Sequence, residues 1–328
     1  MTDRTGPEIV TLGEAFIGLV AEGGRPLADT TMFSRHVIGA EANVAVGVAR
    51  LGRRVAFVGR VGADGFGTAI ARRLRGEGVD VSHVTVDPDA PTGLMIRERR
   101  ALGPSQALYH RRGSAGSRLT VRDVEAAAPA IRAARWLHIT GITPALGESA
   151  RTAHERALAI AGEAGIPISF DVNLRRLLWT DAQAARVLAP LLPRAAVVLG
   201  SPDELAAVAG TDDDDTGTAA AAALHGRGVP AVIAKLGERG AMLHERTGAS
   251  VEVAALRVSH VVDPIGAGDA FCAGFLAARL DGLDDRASVR WAVACGAAAV
   301  SVEGDMDGMP DRATLDRLLA GGPGDIVR

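Results

Sequence analysis

The prediction of the fold rests on residues 263–271, which read DPIGAGDAF. The apolar residues 258–262 before this stretch predict a strand, and the apolar residues 271–280 after it predict a helix. Two glycines in a strand-to-helix turn allow backbone N–H groups to approach a ligand closely, at a helix N-terminus where anionic oxygens are favoured. The pattern therefore predicts a phosphate-binding turn, with Asp269 in the first turn of the helix. The alternative is a turn without a ligand, in which Asp269 is an ordinary residue at a helix start.

Short apolar strands alternate with helical segments along most of the remaining chain. Strands are predicted at residues 9–12, 55–58, 136–139, 168–170, 197–199 and 231–234. Helices are predicted at residues 42–51, 68–76, 149–164, 181–191, 203–209 and 218–226. Such an alternation predicts an α/β fold, in which a mostly parallel sheet is covered by helices on both faces.

One region departs from this alternation. Residues 92–113 predict a hairpin without an intervening helix, with a Gly-Pro turn at its centre. Together with segments 13–20 and 31–38, the hairpin predicts a small separate β-sheet. We expect this sheet to be a lid inserted in one domain that spans residues 1–328.

Composition and charge exclude several classes of protein. Hydrophobic residues make up 48% of the 328 residues and charged residues 23%, so the chain is globular and not disordered. The 36 basic and 39 acidic residues give a net charge of −3, which indicates neither a nucleic-acid partner nor an anionic membrane surface. No apolar run is long enough to cross a bilayer, and the N-terminus lacks an apolar signal region. We expect a cytoplasmic enzyme, whose Cys272 and Cys295 are small core residues.

Two other phosphate-binding motifs do not fit the sequence. A Walker loop needs Gly-Lys-Ser/Thr, but the single lysine, Lys235, is followed by Leu236. The dinucleotide fingerprint needs a third glycine where Phe271 stands, and it normally opens the first βαβ unit. The sequence therefore favours neither a P-loop NTPase nor a Rossmann dehydrogenase.

Three motifs, in order along the chain, carry a resemblance to a known family. Residues 266–271 resemble the C-terminal signature of the ribokinase-like (PfkB) sugar kinases, and residues 39–67 resemble the first signature of that family. Residues 235–240 resemble the family's glycine turn on the nucleotide side. The resemblance covers nearly the whole chain. It implies a ribokinase-like three-layer α/β/α core with a small β-sheet lid, and transfer of the ATP γ-phosphoryl group to a sugar hydroxyl.

The resemblance implies that Asp269 is the catalytic base. A carboxylate at a helix N-terminus is expected to stay ionised at neutral pH. The N–H groups of Gly266, Ala267 and Gly268 are expected to form the anion hole for the transferring phosphoryl group.

The resemblance also implies ATP and Mg²⁺ as cofactors. Glu204 is the expected metal contact, through water, although Ser201 stands where the family motif has Asn. Asp263 is expected to help bind a monovalent cation such as potassium. The remaining nucleotide-binding residues implied are Ser201, Lys235, Gly237, Gly240, Gly266 and Gly268.

Several segments indicate the class of sugar. Residues 171–175 resemble a motif that fructokinases and 2-keto-3-deoxygluconate kinases share. Residues 109–117, 141–146 and 304–310 resemble the second group, and Gly18 stands where fructokinases usually carry an Asp.

A sugar acid carries a carboxylate, which arginine binds in bidentate geometry. We therefore expect Arg111 and Arg175 to bind this carboxylate and Tyr109 to pack on the sugar. The family's first signature places Gly39 and Asn43 among the substrate-binding residues.

These features predict ATP-dependent phosphorylation of the 6-hydroxyl of 2-keto-3-deoxygluconate. A fructokinase or another neutral-sugar kinase is the nearest alternative, and a nucleoside kinase is a more distant one. A non-catalytic sugar sensor is the alternative from a different class, although such a protein would be expected to lose Asp269 or the glycine turn. A lid sheet often has an exposed apolar face, which predicts a homodimer that forms through the lid.

Overall fold

The computed structural model describes residues 6–98 and 107–321. The strands in this part of the chain are β1 (Ile9–Leu12), β2 (Phe16–Ala21), β3 (Phe33–Ile38), β4 (Val55–Gly62), β5 (Val84–Asp87), β6 (Leu94–Arg97), β7 (Ala107–His110), β8 (Trp136–Thr140), β9 (Ile168–Asp171), β10 (Val197–Gly200), β11 (Ala231–Lys235), β12 (Gly240–Glu245) and β13 (Ser250–Ala254). The helices are α1 (Ala40–Arg50), α2 (Gly65–Gly76), α3 (Val121–Ala133), α4 (Ile142–Ala145), α5 (Glu148–Glu163), α6 (Asp181–Leu188), α7 (Pro202–Ala209), α8 (Thr218–Gly226), α9 (Ala267–Leu280), α10 (Asp285–Ala299) and α11 (Arg312–Ala320).

The main sheet has nine strands in the order β13-β12-β11-β10-β9-β8-β1-β4-β5. All pairs from β11 to β5 are parallel, whereas β12 and β13 pair in antiparallel fashion at one edge. The prediction of a mostly parallel sheet is therefore confirmed.

Helices cover both faces of this sheet. On β10, Val198 belongs to an apolar cluster that includes side chains of α3, α5, α6, α7 and α8. Its neighbours Val197 and Leu199 belong to a second cluster, with side chains of α1, α2, α9 and α10. Successive side chains of a strand point to opposite faces, so a strand that is apolar at every position needs cover on both sides. Cys272 and Cys295 are buried and unpaired within this packing, as predicted.

A second, smaller sheet has the strand order β3-β2-β6-β7. Its β6 and β7 form the predicted antiparallel hairpin, with Leu94 opposite His110. The predicted Gly-Pro turn of this hairpin lies at residues 103–104, outside the described residues. A lid function for this sheet stays a prediction.

The strand predicted at residues 258–262 is not formed. The hairpin of β12 and β13 already occupies the edge of the main sheet next to β11, so no strand position is left there. Instead, Val258 and Val261 of this segment line a cleft beside α9. Elements that the sequence pattern did not indicate are β5, β12, β13, α3, α4, α10 and α11.

The parallel strands of the main sheet end at one edge, where ligands of open α/β sheets bind. Glu14 follows β1, Asp171 and Lys235 end β9 and β11, and Ser201 follows β10. In the described part of the chain, no helix has the length and apolarity needed to cross a membrane.

Candidate active site

Two clefts open at this edge and meet at the start of α9. The inner cleft has a volume of about 460 Å³ and is lined by residues of both sheets, among them Glu14, Tyr109 and Asp269. The outer cleft has a volume of about 570 Å³ and is lined by residues of α9, α10 and the segment 255–261. The two clefts share four lining residues, which are Lys235, Gly237, Pro264 and Gly268. The start of α9 therefore separates the two volumes and faces both.

Asp269 lies in the first turn of α9, where it lines the inner cleft. Its Oδ2 accepts a hydrogen bond of 2.7 Å from the side-chain amide of Asn43. Burial raises the pKa of Asp269 to about 7, although Asn43, with Arg175 and Lys235, acts to lower it. The expectation of a fully ionised carboxylate at neutral pH is therefore wrong. A helix N-terminus contributes about 2 kcal/mol at most, whereas removing a carboxylate from water costs several kcal/mol.

The turn before Asp269 borders both clefts, and within it the N–H of Ala267 donates a long hydrogen bond of 3.4 Å to the carbonyl oxygen of Pro264. Gly266 is the N-cap of α9, and no side chain caps the helix start. Gly266 and Gly268 line the inner cleft, while Ala267 and Gly268 line the outer one. The first N–H groups of a helix have no partner within the helix, so this turn is suited to an anion held between the clefts.

Two positions in the site require glycine. Gly266 has a φ of +80°, and a Cβ atom there would lie 2.2 Å from the carbonyl oxygen of Asp305. Gly39 has a φ of +142°, and a Cβ atom there would lie 2.2 Å from the carbonyl oxygen of Glu14. These close backbone contacts fix the starts of α9 and α1, the helices that carry Asp269 and Asn43.

Lys235 lies at the junction of the clefts. Its Nζ is 2.7 Å from Oδ1 of Asp171, and it lies 3.5 Å from the position of a Cβ atom on Gly268. Burial acts to lower the pKa of Lys235, but the charges of Asp171, Cys272 and Glu204 and the hydrogen bond to Asp171 together outweigh burial, so the pKa is raised. Lys235 is therefore a permanent positive charge beside the N–H groups of the turn. Its partner Asp171 was not indicated as a site residue, although it opens the stretch 171–175.

Glu204 and Ser201 lie together at the inner cleft. Oε1 of Glu204 accepts a hydrogen bond of 2.8 Å from the N–H of Leu174, and Oε2 accepts one of 2.9 Å from the N–H of Ser201. The Ser201 hydroxyl donates to the side chain of Asp203. Each oxygen of Glu204 thus has one lone pair left for a further ligand.

Two buried glutamates line the inner cleft, and the motifs did not indicate either of them. Glu14 accepts a hydrogen bond of 3.3 Å from the Ser114 hydroxyl. Oε1 of Glu41 accepts hydrogen bonds of 2.7 Å from Thr140 and 2.8 Å from Thr143. Burial raises the pKa of both carboxyl groups. A signal was present in the sequence, since each glutamate stands in an otherwise apolar stretch.

Arg111 lines the inner cleft, as predicted, but the sequence did not indicate its charge partner. It is buried, with Nη2 2.6 Å from Oε2 of Glu14, and its guanidinium lies 5.1 Å from the ring centre of Phe16 and 5.6 Å from that of Tyr109. The charge of Arg111 is therefore already balanced by Glu14. Tyr109 lines the inner cleft beside it.

Arg175 lines the same cleft and is exposed. Among the described residues it forms no ion pair, in contrast to its neighbour Arg176, which is paired with Asp181 and Asp203. The positive charge of Arg175 acts to lower the pKa of Asp269, which places it within electrostatic reach of that carboxylate. Of the two arginines predicted from the sequence, Arg175 is the one whose charge is available to a ligand.

The outer cleft has mainly apolar walls. Leu256, Val258 and Val261 line one side, and Phe271 and Val293 line another. Gly237 and Gly240, predicted from the motif at residues 235–240, lie at its margin. A flat apolar ring fits such walls.

Asp263 lines neither cleft. It is buried behind the turn, where Arg97 of β6 contacts both of its carboxylate oxygens. Asp263 and Arg97 therefore join the second sheet to the start of α9.

A comparison with protein families matches residues 7–312 to the pfkB family of carbohydrate kinases. Among curated proteins, the chain is 39% identical to a 2-dehydro-3-deoxygluconokinase from Thermoproteus tenax, over 95% of this chain and 94% of that protein. It is 36% identical to a 2-dehydro-3-deoxygluconokinase from Bacillus subtilis (strain 168), over 95% of each protein.

Solved structures agree with this family match. A protein described as a ribokinase II from E. coli, in complex with ATP and Mg²⁺, superimposes with a TM-score of 0.88 at 26% identity, over 96% of this chain and 99% of that one. A fructokinase double mutant from Vibrio cholerae O395, with fructose, ADP and a potassium ion bound, has a TM-score of 0.82 at 31% identity, over 96% and 99% of the two chains.

Proposed function

Since the chain belongs to the pfkB family of carbohydrate kinases, we propose that it transfers the γ-phosphoryl group of ATP to the 6-hydroxyl of 2-keto-3-deoxygluconate. The observation that carries this proposal is the junction of the two clefts at the start of α9. There Asp269 faces the inner cleft, while the glycine turn and Lys235 face both. A sugar in the inner cleft and a nucleotide in the outer cleft would meet at this point.

Asp269 is the proposed base of the reaction. As the bond forms between the sugar oxygen and phosphorus, the bond from the γ-phosphorus to the ADP oxygen breaks, and the hydroxyl proton passes to Asp269. Phosphoryl transfer depends mainly on positioning and on stabilisation of charge. The N–H groups of Gly266, Ala267 and Gly268, with Lys235, supply that stabilisation. A base with a pKa near 7, as burial gives Asp269, is matched to work at neutral pH.

Mg²⁺ is expected to arrive with the phosphates of ATP. Glu204 is proposed to hold it through water, as the family motif implies, and each of its oxygens accepts one backbone N–H group and keeps a lone pair for that water. The ion neutralises phosphate charge when it is bound. Potassium at Asp263 is the other predicted ion, but Arg97 already faces both carboxylate oxygens, so we assign no step to it.

A sugar acid is favoured over a neutral sugar by Arg175. Its exposed guanidinium has no acidic partner among the residues that the structure describes, and it lines the cleft that holds Asp269. Fructose stays the alternative substrate, because Glu14 already balances the charge of Arg111. One arginine, and not the predicted pair, is therefore proposed to bind the carboxylate, while Gly39, Asn43 and Tyr109 line the remainder of the cleft.

The first test compares 2-keto-3-deoxygluconate with fructose at equal, subsaturating concentrations, by release of ADP in the presence of ATP and Mg²⁺. We expect a strong preference for the keto acid. Arg175→Ala should raise the KM for the keto acid about 10- to 100-fold, since a charge-assisted hydrogen bond contributes about 1.5–3 kcal/mol. It should hardly change turnover of a neutral sugar.

Arg176→Ala is the matched control, because Arg176 is the next residue and is paired outside the cleft. It should leave both substrates unaffected. Equal losses with the keto acid and with fructose in Arg175→Ala would mean that Arg175 positions the cleft and does not recognise a carboxylate. A preference of the wild type for fructose would overturn the substrate assignment but not the kinase.

We also propose that the protein acts in the cytoplasm as a homodimer formed through the second sheet. Phe33 of β3 and Leu108 of β7 are exposed apolar side chains on that sheet, which supports such a contact. Light scattering should give twice the monomer mass for the wild type and a lower mass for Leu108→Asp. A monomeric wild type would exclude the dimer.

A further inference from the structure

A buried ion pair joins the second sheet to the turn at the start of α9. Arg97 is the last residue of β6, and its Nη2 lies 2.6 Å from Oδ2 of Asp263 while Nη1 lies 3.3 Å from Oδ1. The two side chains are 10% and 7% exposed. A guanidinium that reaches both oxygens of one carboxylate is a strong and directional partner.

The Asp263 carboxylate also organises the backbone around it. Oδ1 accepts a hydrogen bond of 3.2 Å from the N–H of Ile265, the residue before Gly266. The N–H of Gly304 donates to the same side chain. The N–H of Val262 donates at 2.8 Å to the carbonyl oxygen of Val300. Asp263 therefore ties the entry of the glycine turn to the segment 300–305, against which Gly266 packs.

These residues do not fit a monovalent cation at Asp263. A potassium ion needs oxygen ligands, but both oxygens of Asp263 face the guanidinium of Arg97. Burial acts to lower the pKa of Arg97, yet Asp263 and the acidic residues at 303 and 305 raise it, so the guanidinium stays charged. A second cation beside it would be repelled.

We propose that the Arg97 guanidinium supplies, from within the chain, the positive charge that a monovalent cation would bring to Asp263, so that turnover does not depend on potassium. The inference rests on the kinase activity proposed above. Arg97 is a positioning residue, because it lines neither cleft and acts on the anion-binding turn through Asp263.

Removal of Arg97 leaves the Asp263 carboxylate buried without its partner, which is costly for any ion held away from water. The turn is then expected to lose its order, and with it the alignment of the N–H groups that face the phosphoryl group. A cation from solution gains access to the free carboxylate oxygens. A potassium response should therefore appear in a variant that lacks the guanidinium, although the wild type has none.

The experiment measures kcat and KM in potassium chloride and in tetramethylammonium chloride at equal ionic strength, with 2-keto-3-deoxygluconate, ATP and Mg²⁺. ADP is measured directly by chromatography, so that no coupling enzyme adds a cation response of its own. We expect the kcat of the wild type to agree within twofold in the two salts. Arg97→Gln should lose at least tenfold in kcat in tetramethylammonium chloride and recover part of this loss in potassium chloride. Arg35→Gln, which removes an exposed arginine from the same sheet, should behave as the wild type.

Activation of the wild type by potassium of tenfold or more would overturn the inference. So would an Arg97→Gln variant with unchanged kcat in both salts, or one in which only the sugar KM rises, since that would indicate a role in shaping the inner cleft. If Arg97→Gln fails to fold, the wild type decides the matter by its melting temperature, which should be the same in both salts. A rise in melting temperature that is specific to potassium would show a bound ion.

The melting comparison needs no turnover. It therefore separates a failure of this inference from a failure of the substrate assignment, in which no ADP would be released with the keto acid.

Discussion

The hydrogen bond from Asn43 to Asp269 leads to a quantitative prediction for the pH dependence of the enzyme. Because kcat/KM reports the pKa of a base in the free enzyme, its acid limb should have a midpoint near pH 7, the pKa to which burial raises Asp269. The base must be deprotonated to act, so activity falls as the pH falls. At pH 6 about a tenth of the plateau value is expected, from a single ionisation with this pKa.

Asn43→Ala should move this midpoint to higher pH. The Asn43 amide donates at 2.7 Å to Oδ2 of Asp269, and this bond favours the ionised carboxylate. A hydrogen bond to a charged group contributes about 1.5–3 kcal/mol, and one pKa unit corresponds to about 1.4 kcal/mol. Water in the cleft would replace part of the lost bond, so we expect a shift of about one unit. At pH 7, the fraction of the plateau value should drop from about a half to about a tenth.

The assay is a pH profile of kcat/KM for the wild type and the variant, with melting curves to show that both are folded. Asn173→Gly is the control, because Asn173 lines the same cleft but donates to Asp171, and glycine accepts its φ of 41°. This control should lower kcat/KM without moving the midpoint. An Asn43→Ala profile that is lower at every pH, with its midpoint unmoved, would refute the proposed link between Asn43 and the ionisation of Asp269.

Three further substitutions test the site. Asp269→Asn should lower kcat about 10²- to 10⁴-fold. Burial raises the pKa of Asp269 to about 7, so the folded wild type loses stability as the pH rises towards 7 and the buried carboxyl group must ionise. Asparagine cannot ionise, and the gain in melting temperature of Asp269→Asn over the wild type should therefore be larger at pH 8 than at pH 5. Gly266→Ala should lose more than tenfold in kcat because its Cβ would meet a carbonyl oxygen, whereas Gly282→Ala, with a φ of +77° and open space, should retain activity. Arg111→Met should lower the free energy of unfolding by about 3–5 kcal/mol at pH 7 by leaving Glu14 buried and unpaired, and a second change, Glu14→Gln, should recover much of it, as urea unfolding would show. Full activity in the first two variants, or no recovery in the last, would contradict the respective roles.

Local sequence patterns predicted the main sheet and the helix whose first turn carries Asp269. The alternation of short apolar strands with helical segments identifies a parallel sheet, because both of its faces must be covered. The glycine turn identifies a helix start, which is how Asp269 could be found. The strand predicted at residues 258–262 is wrong, since an apolar run does not distinguish a buried strand from the wall of an open cleft, and Val261 and Val262 are exposed. This run lines the outer cleft instead of joining the sheet.

Residue pairing over long distances in the chain could not be predicted in the same way. Arg111 was expected to bind the carboxylate of the substrate, but its charge is balanced by Glu14, which is far away in the sequence. Asp263 is paired with Arg97 for the same reason, because the second sheet folds back over the turn. A motif gives the position of a charged residue, whereas the partner that balances its charge depends on the three-dimensional fold.

The inner cleft contains three carboxyl groups that bind a proton more tightly than they would in water. Burial raises the pKa of Glu14, Glu41 and Asp269. A sugar that enters the cleft displaces water and brings hydroxyl donors, so the number of protons bound there must change with occupancy. Those protons are exchanged with the buffer. The heat of sugar binding at one fixed pH should therefore differ between phosphate and Tris, because the two buffers ionise with different enthalpies.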